Sequence, residues 1–273
     1  MTTGRADLRS GLETVDLTVR YGGQLAVDAV SLMAPLGRLT GLIGPNGAGK
    51  TSIFNAASGL LRPGGGRVML DGKDVTRLGP AARARRGLGR TFQRMELFGS
   101  MTVDENVALG CEGRLAGSNP LRQWVAGRRE HRTVRAATAA ALETCGLADI
   151  AGRTVGNLST GQRRLVELAR VHAGGFQMLL LDEPSSGLHR AESEQFGAVI
   201  RRLVDELGVG VLLVEHDMAL VMSICDEIYV LDFGELVFRG TAAEAQASPV
   251  VQAAYLGAEE IVELAGLSPV GED

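Results

Sequence analysis

Three features of the sequence predict an α/β protein built on a mainly parallel core sheet. The second half alternates helix-like and strand-like segments. A glycine-rich loop near residue 50 joins an apolar strand to a helix. Of the 273 residues, 45 % are apolar. Strands alternating with helices favour parallel pairing, because a parallel neighbour needs a crossover long enough to hold a helix. The apolar content suffices for a sizeable core and excludes a disordered chain, which combines few apolar residues with high net charge. At roughly 150 residues per domain, the length fits one large domain or two modest ones.

The first elements read as strands. Thr14–Tyr21 alternates apolar and polar residues, and Tyr21-Gly22-Gly23 closes it in a turn. Strands are expected at Val27–Met33, Leu39–Ile43 and Arg67–Leu70, the last ended by Asp71-Gly72, while Arg62-Pro63-Gly64-Gly65-Gly66 reads as a loop. From Val103 to about Ala148 the period becomes helical, clearest in the alanine-rich Val134–Cys145, with a break at Ala116–Pro120. Then follow a helix at Gln162–Ala173, a strand at Gln177–Leu181, a helix at Ala191–Leu207 and a strand at Val209–Val214. A helix over Met218–Cys225, a strand at Ile228–Leu231, a hairpin through Asp232–Arg239 and a short helix at Thr241–Ala247 complete the pattern, with Ser268–Asp273 frayed.

Charge is unevenly spread. The net charge of −4 hides a middle segment, residues 62–135, with 15 basic and 7 acidic groups, and a C-terminal half rich in carboxylates. The basic segment suits a solvated helical surface, a docking face for protein, or a nucleic-acid face. It lacks the interleaved aromatics that stack on bases, so no nucleic-acid partner is expected. Only Lys50 and Lys73 are lysine among 28 basic residues. Met1–Ser10 carries both charges and no apolar run, and no apolar run approaches the ~18 residues of a membrane span. Cys111, Cys145 and Cys225 match no metal or redox spacing, as expected of thiols in a reducing cytosol.

The chemistry begins at Gly44-Pro45-Asn46-Gly47-Ala48-Gly49-Lys50-Thr51, which fits the phosphate-loop spacing G-x-x-x-x-G-K-[ST]. Glycines let successive backbone N–H groups wrap polyphosphate oxygens, and the following helix N-terminus favours anions. Lys50 is placed to reach the β- and γ-phosphates, the Thr51 hydroxyl to ligate Mg²⁺, and Ser52 to join the same cradle. Lys73, in a polar turn, reads as an ordinary exposed charge. The apolar run Leu179-Leu180-Leu181 ends in Asp182-Glu183, a Walker B pattern: Asp182 for Mg²⁺, Glu183 to polarise the attacking water. No guanine-reading Asn-Lys-x-Asp segment occurs, which argues for ATP over GTP.

Leu158-Ser159-Thr160-Gly161-Gln162 lies before a helix and about twenty residues ahead of Walker B. Taken alone it is a helix cap. At this spacing the chain resembles an ATP-binding-cassette (ABC) ATPase, whose signature is L-S-x-G-Q. The resemblance implies a P-loop ABC fold: a mainly parallel core, an antiparallel β subdomain and an inserted helical subdomain. It implies a single cassette over 12–257, with core and β subdomain in 12–93 and 163–240, helical subdomain in 94–162, and a helical tail over 241–273. It further implies that Ser159, Gly161 and Gln162 meet the ATP of an opposing ATPase subunit. Tyr21 matches the adenine-stacking aromatic, Gln93 the glutamine linking Mg²⁺ and water to the helical subdomain, and His216 the switch histidine at the γ-phosphate. After Ser186-Gly187-Leu188 the family commonly has aspartate. Here His189 stands instead, as a pH-sensitive group or simply an exposed helix cap.

Arg90-Thr91-Phe92-Gln93, Leu97-Phe98, Met101–Asn106, Glu215-His216-Asp217-Met218, Cys225-Asp226 and Ala254-Tyr255-Leu256-Gly257, with the long helical stretch before the signature, resemble the larger ATPase of bacterial branched-chain amino-acid importers. That resemblance implies ATP and Mg²⁺ as cofactors, a second ATPase subunit, two transmembrane permease subunits, and indirectly an extracytoplasmic solute-binding protein. It implies a peripheral position on the cytoplasmic face of the cell membrane, with Gln93–Phe98 and the basic helices facing the permeases. The alternatives are a soluble non-transport ABC ATPase, or an importer of another solute such as urea.

Overall fold

The computed structural model describes residues 10–91, 96–116 and 128–254. Two sheets organise the described residues. An antiparallel sheet, ordered β2-β1-β4-β5, comprises β1 (Gly11–Tyr21), β2 (Gln24–Pro35), β4 (Gly65–Leu70) and the two-residue β5 (Lys73–Asp74). The larger sheet, ordered β10-β9-β3-β8-β7-β6, comprises β3 (Leu39–Ile43), β6 (Leu88–Arg90), β7 (Met178–Asp182), β8 (Gly210–Val214), β9 (Glu227–Asp232) and β10 (Glu235–Gly240). Its strands from β9 to β6 are parallel, and only the hairpin partner β10 runs antiparallel. The expected α/β class and mainly parallel core are therefore present.

The period-2 geometry of a strand explains why β7 and β8 are buried throughout. Leu179, Leu181, Val211 and Leu213 pack on one side against the helices. Met178, Leu180, Leu212 and Val214 pack on the other against β1, β2, β4 and the helix after the phosphate loop. In β1 the inward set shifts from Leu12 and Thr14 to Leu17 and Val19 across a bulge at Asp16, whose φ is +48°. That extra residue keeps a twisted strand apolar on its core side.

The helices are α1 (Lys50–Ser58), α2 (Pro80–Ala84), α3 (Val103–Ala116), α4 (Arg128–Thr144), α5 (Thr160–Ala173), α6 (Arg190–Leu207), α7 (Met218–Ile224) and α8 (Ala242–Ala247), followed by a helical stretch over 249–254. Helices α3, α4 and α5 pack together as a unit. Helix α5 runs unbroken through the subdomain boundary expected between 162 and 163. The expected break at Ala116–Pro120 lies, beyond Ala116, outside the described residues, as does the tail from residue 255. Among the described residues no helix is long and apolar enough to cross a membrane.

Besides the two-residue β5, which the sequence offered as a turn, two elements escape the sequence pattern. Helix α2 and strand β6 occupy the basic segment, and two of its arginines point inward. Arg83 is 1 % exposed; its guanidinium donates to the carbonyls of Ala56 (2.6 Å) and Ala57, closing the C-terminal end of α1. Burial lowers its pKa to about 10, still far above neutrality. Part of the basic excess is thus internal structure and not a charged face.

Candidate active site

In open parallel sheets, sites form beyond the carboxyl ends of the strands. Here Leu42 of β3 pairs with Val214 of β8, which pairs with Asp182 of β7. That register brings three strand exits to one edge: Gly44–Gly49 after β3, Glu183 after β7, and Glu215-His216 after β8.

The phosphate loop is held by backbone packing. Gly44 has φ +147°, and a Cβ there would lie 2.1 Å from the Leu231 carbonyl oxygen. Gly49 has φ +102°, and a Cβ would lie 2.6 Å from the Ala26 oxygen. Only glycine suits either position. The Ala48 N–H donates to the Pro45 carbonyl (3.2 Å), and the Gly234 N–H donates to the Ala48 carbonyl (3.1 Å). Asn46 and Gly47 are exposed at the tip, Thr51 is exposed in the first turn of α1, and Ser52 is buried beneath it. The Lys50 ammonium donates to the carbonyls of Gly44 (2.6 Å) and Pro45 (2.9 Å). Burial lowers its pKa, and the nearby carboxylates of Glu183 and Asp182 act in the opposite sense. Ser52 Oγ donates to the Tyr21 hydroxyl (3.4 Å), so the half-exposed Tyr21 sits beside the loop.

Asp182 is buried, and burial pushes its carboxyl pKa up, while Arg90 acts to lower it. Arg90 Nη2 lies 3.2 Å from Asp182 Oδ2. Its Nη1 donates to Asn55 Oδ1 (2.8 Å) and Ser58 Oγ (2.7 Å), and its guanidinium stands 4.8 Å from the Phe54 ring centroid. One side chain at the end of β6 therefore ties Walker B to the helix that follows the phosphate loop. Glu183 has φ +45°, a strained conformation for a side-chain-bearing residue, and its N–H donates to the Val214 carbonyl (2.9 Å). Glu215 is fully buried: Oε1 accepts the Ser185 N–H (2.8 Å), and Oε2 accepts the His216 N–H (3.2 Å). It joins the turn after Glu183 to His216, whose ring is mostly exposed and stands 3.8 Å from the same carboxylate.

Ser159 and Gln162 form a reciprocal capping box at the start of α5, each backbone N–H donating to the other's side chain at 3.2 Å. Ser159 Oγ also reaches Glu192 of α6, so the bonds of the signature run to elements other than the phosphate loop. His189 occupies the N-cap position of α6, and its N–H donates to Glu192 Oε2 (3.2 Å). Gln93 lies outside the described residues. Arg90, Glu215 and Glu192 went unassigned from sequence, although the first two fall inside quoted motifs; an ionisable residue within or beside a strand is the signal that marks Arg90 and Glu215.

The ABC transporter family model matches residues 27–186, from β2 through the turn after Walker B. The chain belongs to the ABC transporter family. It is 41 % identical over 249 residues to the high-affinity branched-chain amino acid transport ATP-binding protein BraF of Pseudomonas aeruginosa, covering 90 % of this chain and 97 % of that one. It is 38 % identical over 243 residues to LivG of Escherichia coli, named for the same transport, covering 88 % and 95 %. A crystal structure of an ABC transporter cassette in its ADP conformation superposes with a TM-score of 0.79 at 30 % identity, covering 90 % of this chain and 98 % of that one. The fold is that of an ABC ATPase, and the chain is an ATP-binding ATPase of this family.

Proposed function

We propose that this ABC ATPase is the ATP-hydrolysing subunit of an importer of branched-chain amino acids or related hydrophobic amino acids. The observation that carries the reading is the joining of phosphate loop, Walker B and switch histidine at one sheet edge, in a chain about 40 % identical to BraF and LivG along nearly its full length. It works at the cytoplasmic membrane face as a dimer with a second ATPase subunit, below two permease subunits served by an extracytoplasmic binding protein.

The residues divide the work. Backbone N–H groups of Gly44–Gly49 and the α1 N-terminus hold the phosphates, with Lys50 moving from its loop carbonyls to the β- and γ-oxygens. Tyr21 stacks on adenine. Thr51 and Asp182 would hold Mg²⁺, since an exposed hydroxyl and a buried carboxylate are the hard oxygen donors that this cation prefers. When bound, the ion screens phosphate charge. Glu183 orients a water against the γ-phosphorus and takes its proton as the bond to the β–γ bridging oxygen breaks. His216, set by Glu215, and Gln93 contact the γ-phosphate and the water. Ser159, Gly161 and Gln162 complete the site across the dimer.

Uptake tests this reading. Vesicles carrying the permeases, both ATPases and the binding protein should accumulate labelled leucine with ATP, and Lys50→Ala should abolish it. Accumulation of urea with no uptake of leucine, isoleucine or valine would replace the solute. ATPase activity indifferent to the permeases would favour the non-transport alternative.

A further inference from the structure

We infer that Glu192 belongs to the dimer-closing surface: its carboxylate covers the signature segment of the separate subunit and competes with the γ-phosphate of the opposing subunit's ATP. The inference rests on reading Ser159 and Gly161 as contacts to that phosphate.

Glu192 lies in the first turn of α6. Its Oε1 accepts from Ser159 Oγ at 3.4 Å, and its Oε2 accepts the His189 N–H at 3.2 Å. A Cβ on Gly161 would lie 2.6 Å from Oε1 and 2.7 Å from the carboxyl carbon. Gly161 is buried although Ser159 and Thr160 before it are exposed, and the three atoms nearest that Cβ position all belong to Glu192. The bare glycine therefore lets this carboxylate lie directly against the signature turn, and any side chain at Gly161 would push it aside.

The chemistry is that of a stand-in. A carboxylate presents two anionic oxygens to the N-terminus of the fourteen-residue α5, where helix dipole and hydroxyl favour negative charge. A phosphate oxygen would take the same position. The Ser159 hydroxyl has one proton: it accepts from the Gln162 N–H and gives that proton to Glu192, so it cannot give it to phosphate at the same time. Like charge adds repulsion at short range. Closure thus requires the carboxylate to turn off Ser159 and Gly161. Before closure its other oxygen lies on the His189 N–H, so the carboxylate links the signature to the start of α6 until closure breaks the Ser159 bond.

Glu192→Gln keeps the shape and the acceptor for His189 while removing the charge. The test is ATP·Mg²⁺-driven association of the full-length Glu183→Gln chain, alone and mixed with its proposed partner ATPase, followed by sedimentation velocity. Adding Glu192→Gln should lower the ATP concentration for half-maximal association about five-fold at low salt, and the gain should shrink at 0.5 M salt as screening rises. Glu192→Ala should act in the same direction, with a lower melting temperature from the lost cap. An unchanged or raised midpoint in Glu192→Gln overturns the inference. Gly161→Asp, which fixes a carboxylate at the signature, separates the two levels. If Gly161→Asp associates like its parent, the signature reading falls. If Gly161→Asp fails to associate while Glu192→Gln matches its parent, only the role given to Glu192 falls.

Discussion

The phosphate-loop edge and the signature end of α5 both serve phosphate in the proposed mechanism, and they are built differently. At the first, backbone collisions and buried charge fix the geometry: Gly44 against Leu231, Gly49 against Ala26, Arg90 between Asp182 and α1. At the second, exposed and half-buried side chains bond to one another and to the helix-start backbone at 3.2–3.4 Å. In the proposed mechanism the subunit's own nucleotide half is thus preorganised, and the half offered to a partner is held by contacts that can exchange. A surface that must open and close each cycle requires the second construction, because only low-cost contacts can break repeatedly.

The largest way to break this contrast is at the loop. Gly44→Ala sets a Cβ on the Leu231 carbonyl and should cost at least about 4 kcal/mol, with loss of ATP binding, read by urea denaturation and fluorescent-nucleotide titration. A near-neutral result would mean that the loop is adaptable. Arg90→Ala comes next. It leaves Asp182 buried without its guanidinium and should cost about 3 kcal/mol; Arg90→Lys should restore only part, since an ammonium cannot span Asn55, Ser58 and Asp182 together. Ser159→Ala removes a cap and should cost about 1 kcal/mol, while ATP turnover falls by a much larger factor. Equal stability losses at Arg90 and Ser159 would erase the distinction.

Most of the fold was legible because β7 and β8 are apolar runs and β3 is a short, mostly apolar segment before a turn, while α5 and α6 carry strong helical periods. Strand β6 was not legible: three residues with a central glycine give no period, and its place is set by pairing with Met178–Leu180. The site motifs were legible since phosphate chemistry demands fixed local spacings. Arg90, Glu215 and Glu192 act across 92, 30 and 33 residues of sequence, and a local pattern carries no trace of such contacts. The basic segment misled for the same reason: Arg83 and Arg90 look like surface charge in sequence and are internal in the fold.

The smallest expected effect is a pH dependence outside both regions. Bonds from the Thr241 N–H and hydroxyl hold the Glu244 carboxyl below the usual glutamate range. A depressed folded-state pKa contributes stability above the unfolded value, which is lost as pH falls through the folded value. Glu244→Gln should therefore lower the melting temperature slightly at neutral pH, where the carboxylate's contribution is present, and flatten the acid limb of the profile below about pH 4.5. A flattened alkaline limb would have the wrong sign.

In the proposed mechanism, hydrolysis at the shared strand edge depends on Glu183 polarising the water. Single-turnover hydrolysis of ATP by Glu183→Gln, measured beside direct ATP binding, tests it most closely. Binding within a factor of about two of wild type, with hydrolysis slowed at least 100-fold, is the expected result. Hydrolysis at the wild-type rate would contradict it.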